Sequence, residues 1–205
     1  MSRHERRYQK YLDRKRQKHG YAPTASTGPT ATPTQIAAAQ HAPIHETLVP
    51  TKLYEMGLGN LLFSRSLPDG RIAVAVFLLD IYCLGVKDAF VGIATKEEYF
   101  QRTRRRFMEE NLQPVQPACF RKLVEGGVAY ARDLGFPPHA DYALASQIFG
   151  DVDAEECSTR FEYGREGKPF YVSGPHDTPE RIDAILHQLN RRLGEGNFDF
   201  LVLAE

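Results

Sequence analysis

The run over residues 71–81, RIAVAVFLLDI, constrains the fold of this chain more than any other stretch. It is apolar at almost every position and lacks the alternation of a half-exposed strand. Such a run reads as a strand buried on both faces, inside a sheet. Pro68-Asp69-Gly70 stands just before it, and residues 61–67 form another apolar segment. Asp-Gly between apolar flanks predicts a hairpin, with Gly70 taking the positive φ. Asp80 breaks the run. An unpaired buried carboxylate is costly, so Asp80 requires a partner.

Charge divides the chain. Residues 1–20 hold eight Lys/Arg against two acidic residues, a net of +6. Residues 21–45 carry no Lys, Arg, Asp or Glu, and the remainder has 18 basic and 24 acidic residues. A neutral total thus hides a basic arm on an acidic body, which implies either an anionic partner or an arm that folds back on its own body. Tyr8, Tyr11, Leu12 and Lys15 lie at helical spacing. Their apolar surface is too small to hold an isolated helix in water, so the arm reads as disordered. Pro, Thr and Ala dominate residues 21–47, which read as a linker. The folded domain is expected over residues 48–205.

Within that domain, Thr95 and Glu98 form a capping-box pattern, and a helix is expected to about residue 110. Pro117 suits the first position of a second helix, whose apolar face holds Phe120, Leu123, Val124, Ala131 and Leu134. Gly126-Gly127 in its middle predicts close approach of another backbone. Gly135 is its stop, and a short helix over 140–149 ends at Gly150. A second hairpin is expected from segments 161–163 and 169–173 around Gly164-Arg165-Glu166-Gly167. Asp177 or Thr178 caps a last helix, striped by Ile182, Ile185, Leu186, Leu189 and Leu193, before a strand over 198–203. The expected fold class is α+β: a single layered domain with two hairpins, about four helices and a C-terminal strand.

The phrases YCLGVKD, LGFPPHADY and GKPFYVSGP, taken with GLGN and IFGD, resemble a family of bacterial proteins with no established activity. The resemblance runs from about Gly57 to the C-terminus. It implies a soluble bacterial origin and one folded unit, and it supplies no catalytic residue and no substrate.

The chemistry-bearing residues gather after the buried run. Asp80, Cys83, Lys87 and Asp88 lie within LLDIYCLGVKDAF. A cysteine nucleophile needs a base to form thiolate near neutral pH and a third group to orient that base. Cys83 and His139 are the candidates for nucleophile and base, with Asp88, Asp80 or Asp141 to orient the base. Lys87 and Asp80, with Lys168 and His176 farther on, are candidates for holding an anion or other ligand. Gly167-Lys168-Pro169 is not a phosphate loop, because the lysine precedes a proline and a strand. Arg6, Arg7, Arg14, Lys15 and Arg16 of the arm are candidates for nucleic-acid contact, since phosphate backbones attract such arms without sequence specificity. No histidine pair has metal-ligand spacing, and no cofactor motif is present.

Three cysteines, an odd count with no CxxC, point to no disulfide framework and to a reducing cytoplasm. No run approaches the ~18 apolar residues that span a bilayer. The balance of these features predicts a non-enzymatic binding or regulatory module. The competing expectation is a small hydrolase or transferase built on Cys83 and His139.

Overall fold

The computed structural model describes residues 31–105, 111–174 and 176–202. The basic arm and the first part of the expected linker lie outside these. The fold is α+β. Its centre is an antiparallel sheet of five strands: β1 (Ile44–Pro50), β2 (Leu58–Ser66), β3 (Ile72–Asp80), β4 (Gly85–Ala94) and β5 (Leu112–Pro114), in the order β4-β3-β2-β1-β5. The buried run is β3, with every residue covered, and it sits between β2 and β4. The hairpin at Asp69-Gly70 pairs β2 with β3 over nine residue pairs, and Gly70 has φ 83°.

The expected linker needs correction. Pro33–Ala39 is a helix, α1, whose Ile36 and Ala39 are buried. Thr32 and Gln35 form its capping box, and Pro33 occupies the first turn, so an apparent linker composition carries a well-signalled short helix. β1 follows, a short helix α2 (Leu53–Met56) leads from it into β2, and folded structure is present by Ala31, itself buried, ahead of residue 48.

β4 is the largest element the sequence did not predict. The stretch LLDIYCLGVKDAF is not a strand and its exit. It is the tip of a second hairpin, in which the chain turns at residues 81–84 and returns as β4. Leu79 pairs with Val86 but Leu78 with Asp88, so Lys87 is an extra residue, a bulge. Without it, parity would turn Ala89 and Val91 away from the core.

One face of the sheet carries Leu61, Phe63, Ala73, Ala75, Phe77, Leu79, Val86, Ala89 and Val91 into the main core. That face packs against α4 (Pro117–Asp133) and the short α5 (Tyr142–Ala145), which continues as a 3₁₀ turn to Phe149. At Gly127 a Cβ would meet a side chain, 2.8 Å from Leu79 Cδ1, and the backbone that comes close is Gly85, where an added Cβ would stand 2.9 Å from Gly127 O. The other face carries Leu48, Leu62, Ile72, Val74 and Val76, against which Tyr99 packs. Tyr99 opens a π-helical segment, Tyr99–Arg104, that continues the capped turn α3 (Lys96–Glu98).

The expected second hairpin is also corrected. Arg165 and Lys168 close a tight turn by a single bridge, and residues 161–163 form no strand. Instead β6 (Phe170–Val172) pairs in parallel with β7 (Asp199–Leu201), the two joined by α6 (Pro179–Leu193). Thr178 caps α6, and Gly194 ends it.

Candidate functional site

Turn 81–84 is held from all sides. The Ile81 N–H donates to Gly57 O at 2.8 Å, and Gly164 N–H donates to Ile81 O at 2.8 Å. Phe170 N–H donates to Tyr82 O at 3.1 Å, tying β6 to the same turn. The Tyr82 hydroxyl donates to Tyr54 O at 2.6 Å. Gly57 is required here: at φ 72° it lies against the Tyr82 ring, 2.0 Å from Cδ2 for any added Cβ.

Asp80 supplies the partner that its burial requires. Its Oδ1 accepts from the backbone N–H groups of Tyr82 and Cys83, each at 2.9 Å. Burial pushes the carboxyl up, while Lys87 and the amides of Cys83, Tyr82 and Leu84 act against it. The carboxylate is thereby the cap of the turn.

Cys83 is fully buried with Leu84, Leu134, Tyr171, Ile185 and Leu189. Burial, then the nearby Asp80 carboxyl, pushes its thiol far above the ordinary range. A nucleophilic cysteine needs a lowered thiol and an approach path. The geometry gives Cys83 neither, and its place is that of a small apolar core residue.

His139 lies where β4 begins. Its backbone N–H donates to Val86 O at 2.9 Å, so the Pro137-Pro138-His139 loop binds the strand's outer edge. The structure brings His139 and Asp88 near each other, Nδ1 to Oδ1 3.9 Å, with Asp141 Oδ2 at 3.7 Å. The Asp141 N–H donates to that same Nδ1 at 3.3 Å. With Nδ1 accepting, the ring offers Asp88 no N–H there, which is not how a carboxylate orients a catalytic base.

Lys87 goes elsewhere. Its Nζ acts on Asp80 and lies close to Gly174, 3.8 Å from where a Cβ would stand. Asp177 fills that corner. Its Oδ2 accepts from Gly174 N–H at 2.7 Å and from the Tyr171 hydroxyl at 2.9 Å, and its Oδ1 faces Arg181 Nε at 3.1 Å. The loop ahead of α6 is thus occupied by its own carboxylate rather than shaped to take an anion. His176 sits exposed beside it. Lys168, also exposed, donates to Gly196 O at 3.4 Å, bracing the tight turn against the end of α6. Arg6, Arg7, Arg14, Lys15 and Arg16 lie outside the described residues. Among the described residues no group of three or more His, Cys, Asp or Glu is placed to hold a metal ion.

Two buried polar groups carry no sequence signal. Arg65 donates from Nε to Ile148 O at 2.7 Å, from Nη1 to Ala42 O at 2.6 Å and from Nη2 to Phe149 O at 2.7 Å. It ties α1's exit to the 3₁₀ turn, and burial lowers its guanidinium pKa. The Tyr130 hydroxyl is buried without a hydrogen-bond partner among the described residues, close to Gly164 and stacked on Tyr163 at 5.6 Å.

The expectation of unpaired cysteines is overturned. Cys119, in the first turn of α4, is disulfide-bonded to Cys157, leaving Cys83 as the free thiol. The 38-residue separation hides the pairing, and packing creates it: Lys122 Nζ donates to Cys157 O at 2.7 Å, one turn along the same helix.

The fold and this region define an α+β domain whose most reactive-looking segment is an enclosed, carboxylate-capped turn. No family model, curated protein or solved structure matches the chain. Among the described residues no helix is long and apolar enough to cross a membrane.

Proposed function

We propose that this protein is a non-enzymatic binding or regulatory module of the bacterial cytoplasm, whose basic arm contacts an anionic partner such as nucleic acid. The segregation of charge carries this reading: residues 1–20 have a net of +6 and the chain beyond residue 45 a net of −6. An acidic body does not itself attract a polyanion, so Arg6, Arg7, Arg14, Lys15 and Arg16 supply the contact. The enclosure of Cys83 and its raised thiol weigh against the hydrolase or transferase alternative. A bacterial origin follows from the resemblance of YCLGVKD, LGFPPHADY and GKPFYVSGP. In a reducing compartment the Cys119–Cys157 bond would form transiently, as cytosolic disulfides do.

The test is fluorescence anisotropy with a labelled random-sequence duplex, over a range of salt. The full chain is compared with its Arg14→Glu/Lys15→Glu/Arg16→Glu variant. Binding is expected to weaken with salt, by a slope of about −0.9 per phosphate neutralised, and to be lost in the variant. Equal binding by both chains, or binding without a salt slope, removes the arm from the account.

A further inference from the structure

Cys119 and Cys157 form a bond whose two ends stand in different surroundings. Cys157 is 1 % exposed, the sole buried residue from 150 to 168, all of them described. Cys119 is partly exposed, and its Sγ lies 3.9 Å from Oγ1 of the exposed Thr159. A thiol arriving from solvent therefore meets Cys119 first. Cys119 is also the third residue of α4, a helix of 17 residues. The residue ahead of that helix, Gln116, makes no side-chain cap, and its first turn holds no acidic residue. The first-turn N–H groups and the positive end of the helix dipole stabilise negative charge on a sulfur released there. Lys122, one turn on, donates to Cys157 O at 2.7 Å and so brings a cation to the other half of the bond. The bond pins a strap. Residues 158–163 are neither helix nor strand, and they leave Cys157 to lie along α4. The Tyr163 hydroxyl donates to Leu123 O at 2.9 Å, over Gly126, where an added Cβ would stand 2.2 Å from that hydroxyl. Beyond it, Gly164 N–H reaches Ile81 O in the enclosed turn.

We propose that Cys119–Cys157 is a reversible thiol–disulfide exchange site that takes a low-molecular-weight thiol on Cys119, and that its state sets how firmly residues 158–163 lie on α4. On opening, the thiolate of the small molecule attacks Cys119 Sγ. The S–S bond breaks, and Cys157 leaves with the electron pair, near Lys122, and takes a proton from solvent. A second small thiolate attacks the small molecule's own sulfur in the mixed disulfide. It releases Cys119 as a thiolate at the start of α4, together with a small-molecule disulfide. Two small thiols are oxidised as the protein disulfide is reduced. Closure is the reverse: Cys119 takes one half of a small disulfide, and Cys157 displaces it. The exchange is independent of the arm and of any polyanion.

Two measurements on the full, oxidised chain test it, both without nucleic acid. The chain is incubated with reduced glutathione in native buffer, quenched in acid and mapped by mass spectrometry. The bond should open while the chain stays folded, carry glutathione on Cys119 at early times, and close again when oxidised glutathione is added. A bond that stays closed in native buffer, one that does not re-form, or glutathione on Cys157 overturns the proposal. The second measurement is pulsed hydrogen exchange on the oxidised and reduced chains. Amides of residues 158–163 should exchange roughly tenfold faster or more after reduction, over times at which those of β3 remain protected. Equal exchange at 158–163 in the two states overturns the switch. So does loss of β3 protection on the same timescale, which marks a bond that staples the whole domain.

Discussion

The Asp80 carboxylate and the Cys83 amide stand 2.9 Å apart, a side chain capping the turn that its own strand enters. The same oxygen takes the Tyr82 N–H, so one acidic group satisfies two buried donors. Asp80→Ala leaves both without an acceptor. A loss of about 1–3 kcal/mol per unsatisfied donor is expected, read as a lower urea midpoint at unchanged slope.

The pH dependence of that residue has a definite sign. Burial raises the Asp80 carboxyl above its ordinary value, so the folded state holds the proton more tightly than the unfolded chain. The resulting stabilisation is complete below the unfolded pKa, about 3.9, and is lost as pH rises through the higher folded value. Asp80→Asn cannot titrate. Wild type is therefore expected to lose stability relative to Asp80→Asn as pH rises from 4, measured by urea unfolding at several pH values.

Cys83 should behave as a core residue. In the folded, oxidised protein it is expected to resist thiol reagents, with one equivalent reacting as the urea transition exposes it. Rapid labelling in native buffer would contradict its full burial beneath Ile185 and Leu189.

Reduction of Cys119–Cys157 frees the 38-residue loop between them. Removing such a cross-link is expected to cost about 2–4 kcal/mol. Calorimetry of Cys119→Ser against wild type, both without reductant, should show a lower Tm for the variant, and added reductant should bring wild type down to match.

Arg65→Met removes donors from the carbonyls of Ala42, Ile148 and Phe149 at once. The Phe149 carbonyl keeps the Val152 N–H at 3.1 Å, while the Ala42 and Ile148 carbonyls lose the Arg65 donor at about 1–3 kcal/mol each, so this change should rank among the most destabilising single substitutions. Arg65→Lys, with three donors on one nitrogen in place of a planar fork, should recover only part.

The sequence was most legible where local chemistry decides the outcome. Asp69-Gly70 fixed a hairpin, Thr95 and Glu98 a helix start, Pro117 and Thr178-Pro179 two more. It was least legible where partners are distant. β4 escaped because Lys87 and Asp88 stand third and fourth in it and break its apolar pattern, and the bulge that admits Lys87 appears only when β3 is alongside. Residues 161–163 look like a strand, yet β6 pairs with β7, which lies beyond α6. For the candidate site, Cys83, His139 and Asp88 were grouped by chemistry alone, and Lys87 was not set apart from Asp88. The bulge sends Lys87 towards Gly174 and leaves Asp88 at the edge.

The enclosure of the turn at residues 81–84 also sets an order of events during synthesis. β2, β3 and β4 can pair as soon as residue 94 has emerged, for their contacts are local. The groups that seal Cys83 and Leu84, among them Tyr171, Ile185 and Leu189, follow roughly a hundred residues later. Between those two points the nascent chain therefore presents a formed hairpin with a bare apolar tip, and a holding chaperone would find it there.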